Sequence, residues 1–594
     1  VATNGDKWRQ LLRRFKRYLY GFPRTRYVGP VLLAVMVGFA SGLAAVVFRK
    51  LIGFFNFVLL DRAWGWAEQT LPYGRAALPL ITGAGGLAVG LLVYYFAREA
   101  KGHGVPEVMG AVAVRGGIIR PRVAVIKALA SSICIGSGGS AGREGPIVQI
   151  GSSIGSAAGQ VLHLSGQRVR TLVACGAAAG IAGTFNAPIA GALFSLEVIL
   201  GDFAFANFAP VVLSSVVGAA VGRWYFGNHP SLTVLHFHLR SWGELPLYAV
   251  LGVAAGFMGV LFTRALYGQE DFYEKALRAI PPPARAMMGG ALVGVVGIFT
   301  PQILGTGYGP IDVAVSGLYP LYLLLILILA KLFATTTTLG SGGSGGILAP
   351  SLFMGAMLGG AFGTLAREFF PNFTAQPGAY ALVGMGAMVA GTTYAPLTAV
   401  VILFEMTDNY SIILPLMTAC VVALIVARRL NDLSIYTTKL KRAGIDLREG
   451  KDVDVLKAIN ARDVMRRDFE TIKGSTLFKD LVQFIQEARQ NSFPVVDDDG
   501  RLVGVISIQN LRRWMNERSF SNIVVAEELC ERDVVAVSED ETLYTVWEKF
   551  ERLDVESLPV VSRADPRRLV GLLFRKDAYA AYTSRTVGLW AETR

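Results

Sequence analysis

The chain has 594 residues, of which 53% are hydrophobic and only 17% charged, with a mean hydropathy of +0.46. A soluble globular enzyme needs more surface charge than this, so the composition argues against one and places the chain in a lipid bilayer. The net charge of +13 comes with no nucleic-acid recognition motif; Lys and Arg flanking apolar runs explain it, and no nucleic-acid partner is expected.

In chain order, the first feature is a basic segment, "KWRQLLRRFKRYLYGFPRTR", within residues 1–30. It is too long and too charged to begin a signal peptide, and the positive-inside rule predicts that it is cytoplasmic. Apolar runs at 31–48, 245–262 and 321–334 approach or reach the roughly 20 residues that span a hydrocarbon core. Many other runs are shorter or interrupted by Gly and Pro, which predicts tilted or broken helices. Cys134, Cys175, Cys420 and Cys530 stand singly, with no CxxC and no His cluster, so neither a disulfide frame nor a zinc site is expected.

From about Arg428 the texture changes to alternating, charge-rich segments, which marks the start of a second, soluble domain. Within it "SFPVVDDDGRLVGVISIQNLRRW" and "SLPVVSRADPRRLVGLLFRKDAYAAY" share one plan. Each has a buried strand ending in Pro-Val-Val, a polar turn, a strand with Leu-Val-Gly, then a helix. A helix-like segment precedes each, so the region reads as two copies of a unit of about 60 residues.

Two phrases in the apolar region are nearly the same. "GSGGSAGREGP" occupies 136–146 and "GSGGSGGILAP" occupies 340–350, with Lys127 and Lys331 nine residues ahead, a displacement of 204 positions (340 − 136 and 331 − 127). "APIAGALFSLE" at 187–197 likewise matches "APLTAVVILFE" at 395–405, each with a Glu ten residues after its first Ala. The membrane part therefore reads as two halves, 31–227 and 246–427, joined by a linker over 228–245. Internal repeats of this kind mark transport folds whose halves face each other across a site in mid-membrane. Inversion of one half lets both glycine phrases converge on one point.

A helix that stops inside the membrane leaves about four backbone N–H groups without partners, tolerable only at a cavity or an ion. Those amides and the helix dipole make an anion site. Glycine lets the chain turn and approach closely, and the proline closing each phrase suits an early helical turn. Tight packing of small residues between helices is the plain alternative for either phrase alone. Glu144, inside "GREGP", puts a carboxylate where amides would otherwise hold an anion. A buried acid is costly unless partnered or protonated, so Glu144 reads as a tethered anion mimic that leaves when protonated or displaced: a gate. A surface-facing Glu at a helix end is the alternative.

"GREGP", "GGILAP", "GHGVP" at 102–106 and "SIYTTKL" with Tyr436 together resemble the CLC family of chloride channels and chloride/proton antiporters. The resemblance covers the whole membrane region, and the paired units after it resemble the cystathionine-β-synthase (CBS) domains often appended in that family. It implies a polytopic α-helical membrane protein with two inverted repeats and discontinuous helices, followed by a cytoplasmic α/β tandem CBS domain. The expected boundaries are 428–460 for a linker that carries Tyr436, 461–516 for the first CBS copy and 523–584 for the second. The resemblance also implies Glu144 as the gate, with the amides of Arg143, Glu144 and Gly145 at an external anion site. Ile347 and Leu348 amides would line a central site, with Gly102 and His103 beside it and the Tyr436 hydroxyl completing it from the inner side. A homodimer with one pathway per subunit follows, binding chloride and requiring no cofactor.

The chain departs from the family pattern in several places. His103 stands where a Ser is usual; a neutral imidazole offers one N–H and a charged one two, with an unperturbed pKa of about 6.5. Two readings stay open, a ring that tunes anion preference and pH response, and a ring turned away into packing. Leu348 stands where Phe is common, which matters little if the amide is the ligand. Val198 occupies the place, directly after Glu197, of the glutamate that passes protons in coupled members, and this favours passive conduction over exchange. Lys127 and Lys331 read either as cations raising the potential along an anion path or as snorkelling or ion-paired side chains. In the CBS pair, the family's nucleotide contact of Ser or Thr followed three residues later by Asp is split. Ser507 is followed by Asn510, and Asp577 is preceded by Phe574. Adenine-nucleotide binding and a purely structural, dimerising role both stay open.

The leading expectation is a gated chloride channel, multi-pass in a plasma or inner membrane, with a chloride/proton antiporter of the same fold as the alternative. A CBS-regulated sensor or cation transporter is a further alternative, but a cation path needs several convergent carboxylates and carbonyls. No nucleophile with a base, P-loop or metal cluster points to an enzyme.

Overall fold

In hydrocarbon every backbone N–H and C=O must find its partner inside the protein, and the apolar region meets that demand with helices. A computed structural model describes residues 28–70, 74–228, 240–445, 456, 459–488, 490, 492–511, 524–532, 534–553 and 555–588. The basic segment over 1–27 and residues 229–239 of the expected linker lie outside the described residues. The chain divides into two units after Ile445.

The first unit runs through α1 (Val28–Asn56), α2 (Leu78–Phe96), α3 (Val105–Val114), α4 (Arg122–Gly136), α5 (Glu144–Val161), α6 (Gly166–Phe185), α7 (Pro188–Phe194) and α8 (Phe205–Phe226). A second series follows: α9 (Leu245–Asp271), α10 (Pro282–Phe299), α11 (Tyr308–Val315), α12 (Leu321–Gly340), α13 (Leu348–Phe369), α14 (Pro377–Thr393), α15 (Pro396–Thr407) and α16 (Ile413–Leu430). A short α17 (Ile435–Arg442) closes the unit. Among the described residues eight helical stretches are long and apolar enough to cross a membrane, whereas α3 and α15 are shorter.

Packing repeats between the series. α5 lies on α6 as α13 lies on α14, α6 on α8 as α14 on α16, and α1 on α8 as α9 on α16. α2 packs against α10 and α7 against α15, each helix meeting its own counterpart, as a two-fold axis between the halves requires. Glycines spaced four apart permit the closest of these contacts. A Cβ at Gly151 would stand 2.1 Å from the Gly176 carbonyl oxygen and one at Gly155 2.0 Å from that of Leu172. In the second half a Cβ at Gly355 would stand 2.4 Å from the Gly384 carbonyl oxygen and one at Gly359 2.0 Å from that of Tyr380.

The charged texture that begins at Arg428 belongs to the first unit. Arg428 and Arg429 end α16, and α17 buries Ile435, Tyr436 and Leu440 while Lys441 and Arg442 are exposed and Lys439 pairs with Glu107 at 3.4 Å. The Arg442 guanidinium forks onto the Asp271 carboxylate at 3.0 and 2.9 Å. The change of composition there marks the edge of the apolar layer, where Lys and Arg concentrate, and the second unit starts at Asp446.

The second unit holds two three-stranded sheets, β1 (Ile472–Lys473), β2 (Ser492–Val496) and β3 (Leu502–Ser507), then β4 (Val537–Ser538), β5 (Ser557–Val561) and β6 (Leu569–Phe574). Each sheet has one parallel and one antiparallel pairing, with a register shift after Val495 in one copy and after Val560 in the other. The copies exchange their leading segments. The Ala461 N–H donates to the Glu541 carbonyl and that of Ala526 to the Thr476 carbonyl, both at 2.8 Å. Leu456, Ile459 and Ala461 accordingly complete the core of the second sheet, and Ala526 that of the first.

Because the α13–α14 crossing has no room for a side chain, Gly355→Val is expected to lower the thermal-unfolding midpoint in detergent, by overpacking of about 1–3 kcal/mol or more. Gly53→Ala on α1, where nothing lies within 4 Å, is expected to leave the midpoint unchanged or raise it.

Candidate anion site

α4 and α12 stop at Gly136 and Gly340, the chain turns, and α5 and α13 start at Glu144 and Leu348. The two breaks meet. The Gly142 N–H donates to the Gly346 carbonyl at 2.8 Å and the Gly346 N–H to the Gly142 carbonyl at 2.6 Å, an antiparallel bridge. Gly142 and Gly346 are equivalent in the repeat frame (346 − 142 is 204), so the bridge crosses the two-fold axis. A third loop joins them through Gly102, whose N–H donates to the Gly343 carbonyl at 3.0 Å and whose carbonyl accepts from the Gly345 N–H at 3.2 Å. Gly102 and Gly104 have φ of +72° and +81°, and Gly305 and Gly307 in the other half have +60° and +82°, values that glycine takes without strain.

Arg143 caps α5, with Glu144 and Gly145 in its first turn, and Ile347 caps α13, with Leu348 first in the helix. Pro146 and Pro350 each stand third in their helix, where the missing N–H costs no helical hydrogen bond. Glu144 is 3% exposed. Its Oε1 accepts from the Tyr308 hydroxyl at 2.7 Å and its Oε2 from the Ala349 N–H at 3.2 Å. The carboxylate thus reaches from the start of α5 to the start of α13, in the position of an anion held between two helix beginnings, and the surface-facing alternative is ruled out. The Arg143 guanidinium lies over the rings of Phe185 and Tyr308, 5.4 and 4.9 Å from their centroids.

His103 and Tyr436 come together, with ring centroids 5.8 Å apart. His103 is 3% exposed, and neither ring nitrogen has a hydrogen-bond partner among the described residues. A buried imidazole whose polar atoms have no protein partner has unused donor capacity, and it stands one residue from the Gly102 bridge. Tyr436 is positioned by α17, whose start is capped by the Ser434 hydroxyl and held by a hydrogen bond from the Tyr267 hydroxyl to the Ile435 carbonyl.

Lys127 and Lys331 are both fully buried, and among the described residues neither pairs with a carboxylate. Lys127 Nζ donates to the carbonyls of Ala100 and Gly102 at 3.0 and 2.7 Å. Lys331 Nζ donates to those of Ile303 and Gly305 at 2.8 and 3.1 Å. Each ammonium therefore holds the glycine loop ahead of α3 or α11, satisfying carbonyls that no helix can.

Val198 is buried in the wide turn Ser195–Leu200 that continues α7. The neighbouring Glu197 is committed elsewhere. Its Oε2 accepts from the Thr398 N–H and hydroxyl at 2.8 and 2.7 Å, and its Oε1 from the Leu397 N–H at 3.3 Å. Glu405 does the same in reverse, accepting from the N–H groups of Ile189 and Ala190 at 2.9 and 2.7 Å. The matched Ala-Pro phrases are thus reciprocal braces, each acid capping the first turn of the other half's helix. Sequence reasoning did not find this role, nor Tyr308. The "GTGYG" at 305–309 against "GHG" at 102–104 carried the signal for Tyr308, once the repeat frame is extended to that loop. In the second unit, the Asp577 carboxylate is held by the Arg466 guanidinium at 2.6 and 2.8 Å, and Ser507 ends β3.

Residues 85–428 match the family described as voltage gated chloride channel, and residues 461–517 and 525–584 match the CBS domain. A protein of Ralstonia nicotianae with the provisional name chloride channel protein ClcB-like is 35% identical over 419 residues, covering 69% of this chain and 96% of that one. The H(+)/Cl(−) exchange transporter ClcA of Citrobacter koseri is 35% identical over 451 residues, 74% of this chain and 92% of its own. A slow cyanobacterial Cl−/H+ antiporter superposes with a TM-score of 0.65 at 29% identity, covering 70% of this chain and 97% of the other. A eukaryotic CLC transporter shares the fold over 92% of this chain and 97% of its own, at a TM-score of 0.63 and 23% identity. The chain belongs to the CLC family of voltage-gated chloride channels, as a multi-pass membrane protein with inverted repeats and a tandem CBS domain.

Because its ring is buried beside Tyr436 with unused donors, His103→Ser is expected to change the chloride-to-nitrate flux ratio in liposomes. An unchanged ratio would assign the ring to packing.

Proposed function

We propose that the chain conducts chloride through the point where α5 and α13 begin, gated by the Glu144 carboxylate and without obligatory proton exchange. The observation that carries the reading is the Glu144 carboxylate itself, buried between the two helix starts and accepting from the Ala349 N–H. A group that fills an anion position must leave for an anion to pass. In this reading the amides of Arg143, Glu144 and Gly145 line the outer position and those of Ile347 and Leu348 the central one. Gly102, His103 and the Tyr436 hydroxyl stand at the inner end, and Lys127 and Lys331 add positive potential without contacting the ion.

Two observations support conduction without exchange. Val198 offers no proton acceptor, and both oxygens of Glu197 are occupied by donors from α15. Exchange is the second reading, favoured by the relatives named as exchangers.

We further infer a homodimer with one pathway per subunit, and cytoplasmic placement of the basic first segment and the CBS pair. The Arg466 fork on Asp577 supports a structural role for that pair over adenine-nucleotide binding at Ser507 and Asp577. Saturable binding of ATP to the purified chain would reverse that assignment.

Liposomes loaded with chloride and diluted into low chloride separate conduction from exchange. Passive conduction is expected to release chloride with no accompanying proton movement, whereas a chloride-driven change of external pH would establish exchange. Glu144→Ala is expected to raise chloride release severalfold.

A further inference from the structure

We propose that the Tyr308 hydroxyl is the outer latch of the gate, a positioning residue that holds the Glu144 carboxylate in the anion site and so keeps the pathway shut. This deepens the gated-conduction reading and rests on it.

Among the described residues the carboxylate has two donors, and the hydroxyl is the nearer, at 2.7 Å against 3.2 Å for the Ala349 N–H. Hydrogen bonds to an ionised acceptor are short and roughly twice as strong as neutral ones. Protonation of Glu144 removes the charge that strengthens this bond, so the latch loosens under the same condition that frees the gate.

The hydroxyl is held in place from several sides. Tyr308 is the first residue of α11, and its cap, Gly307, turns at φ +82°. The loop ahead of it is fixed by Lys331 through the carbonyls of Ile303 and Gly305. The Arg143 guanidinium covers one part of the ring at 4.9 Å, and Phe185 lies 6.3 Å away, centroid to centroid. A ring held this way has little freedom to move its hydroxyl off the carboxylate.

The repeat frame supports the pairing independently. Gly102 and Gly104 correspond to Gly305 and Gly307, so the counterpart of Tyr308 is Val105 (308 − 105 is 203). The counterpart of Glu144 is Leu348 (348 − 144 is 204). Two equivalent places could each hold a gate acid and a facing hydroxyl. One half supplies the acid, the other supplies the hydroxyl, and both remaining places are apolar. The two departures from symmetry are bonded to each other.

Chloride flux from liposomes reconstituted with the full chain tests the latch at neutral pH, comparing wild type, Tyr308→Phe, Glu144→Ala and the double variant. A hydrogen bond to a charged group is worth a factor of about ten in an equilibrium. Tyr308→Phe, which keeps the ring, is therefore expected to raise flux about threefold to tenfold where Glu144 is present, and to have no comparable effect on Glu144→Ala. Retained flux in the double variant reports an intact fold and route. A flux raised by Glu144→Ala but not by Tyr308→Phe overturns the latch alone, as does an equal effect of Tyr308→Phe in both backgrounds. A flux that Glu144→Ala does not raise overturns the gate reading itself, and the latch with it.

Discussion

The hydrogen bonds between Gly142 and Gly346 close a place where helices alone cannot satisfy the backbone. Two helices end and two begin inside the apolar layer, and their loops would expose carbonyls and amides to lipid. The antiparallel bridge pairs part of that backbone, and the ammonium groups of Lys127 and Lys331 take four more carbonyls. With these loop carbonyls occupied, the starts of α5 and α13 bring backbone amides to the break, where the Ala349 N–H meets the Glu144 carboxylate. That division of labour makes the centre of the unit attractive to an anion: cations hold the negative ends of peptide dipoles, and the positive ends point at the site.

Near-symmetry builds the frame, and departures from symmetry supply its chemistry. The bridge joins equivalent glycines, the lysines hold equivalent loops, and Glu197 and Glu405 brace equivalent helices in opposite directions. A carboxylate at a helix start can therefore serve two ends in one molecule. Glu197 and Glu405 cap the other half's helix and lock the two repeats together. Glu144 sits at the start of its own helix and reaches across to the other, where the Ala349 N–H donates to it. Distance along the chain separates the roles: the braces lie beyond α6 and α14, while Glu144 stands at the break.

The C-terminal unit repeats the logic of paired halves with strands. Each CBS copy lends its leading segment to the other's sheet, so neither core is complete alone. The exchange makes the two copies one folding unit. Arg466, in the leading segment of the first copy, holds Asp577 after the last strand of the second.

Much of this was legible in the residues. The apolar composition, the displaced glycine phrases and the carboxylate in "GREGP" define a membrane protein of two repeats with an acid at a broken helix, because such glycines and such an acid are too costly in lipid to be incidental. The resemblance of the chain's motifs to the CLC family also set His103 and Tyr436 near one site, and their rings lie 5.8 Å apart. Other features depended on which groups the fold brings within hydrogen-bond reach. Lys127 and Lys331 read either as cations raising the potential along an anion path or as snorkelling or ion-paired side chains, and the fold supplies carbonyls as their partners. Glu197 looked adjacent to a proton route, and it caps α15. Charge after Arg428 looked like a domain boundary, and it is the rim of the first unit. Tyr308 lies 164 positions from Glu144, and no local pattern pairs a hydroxyl with an acid over that span. Composition and periodicity record the solvent each segment meets. The partner of a buried polar group is chosen by the crossing of helices, and only the tertiary structure decides that.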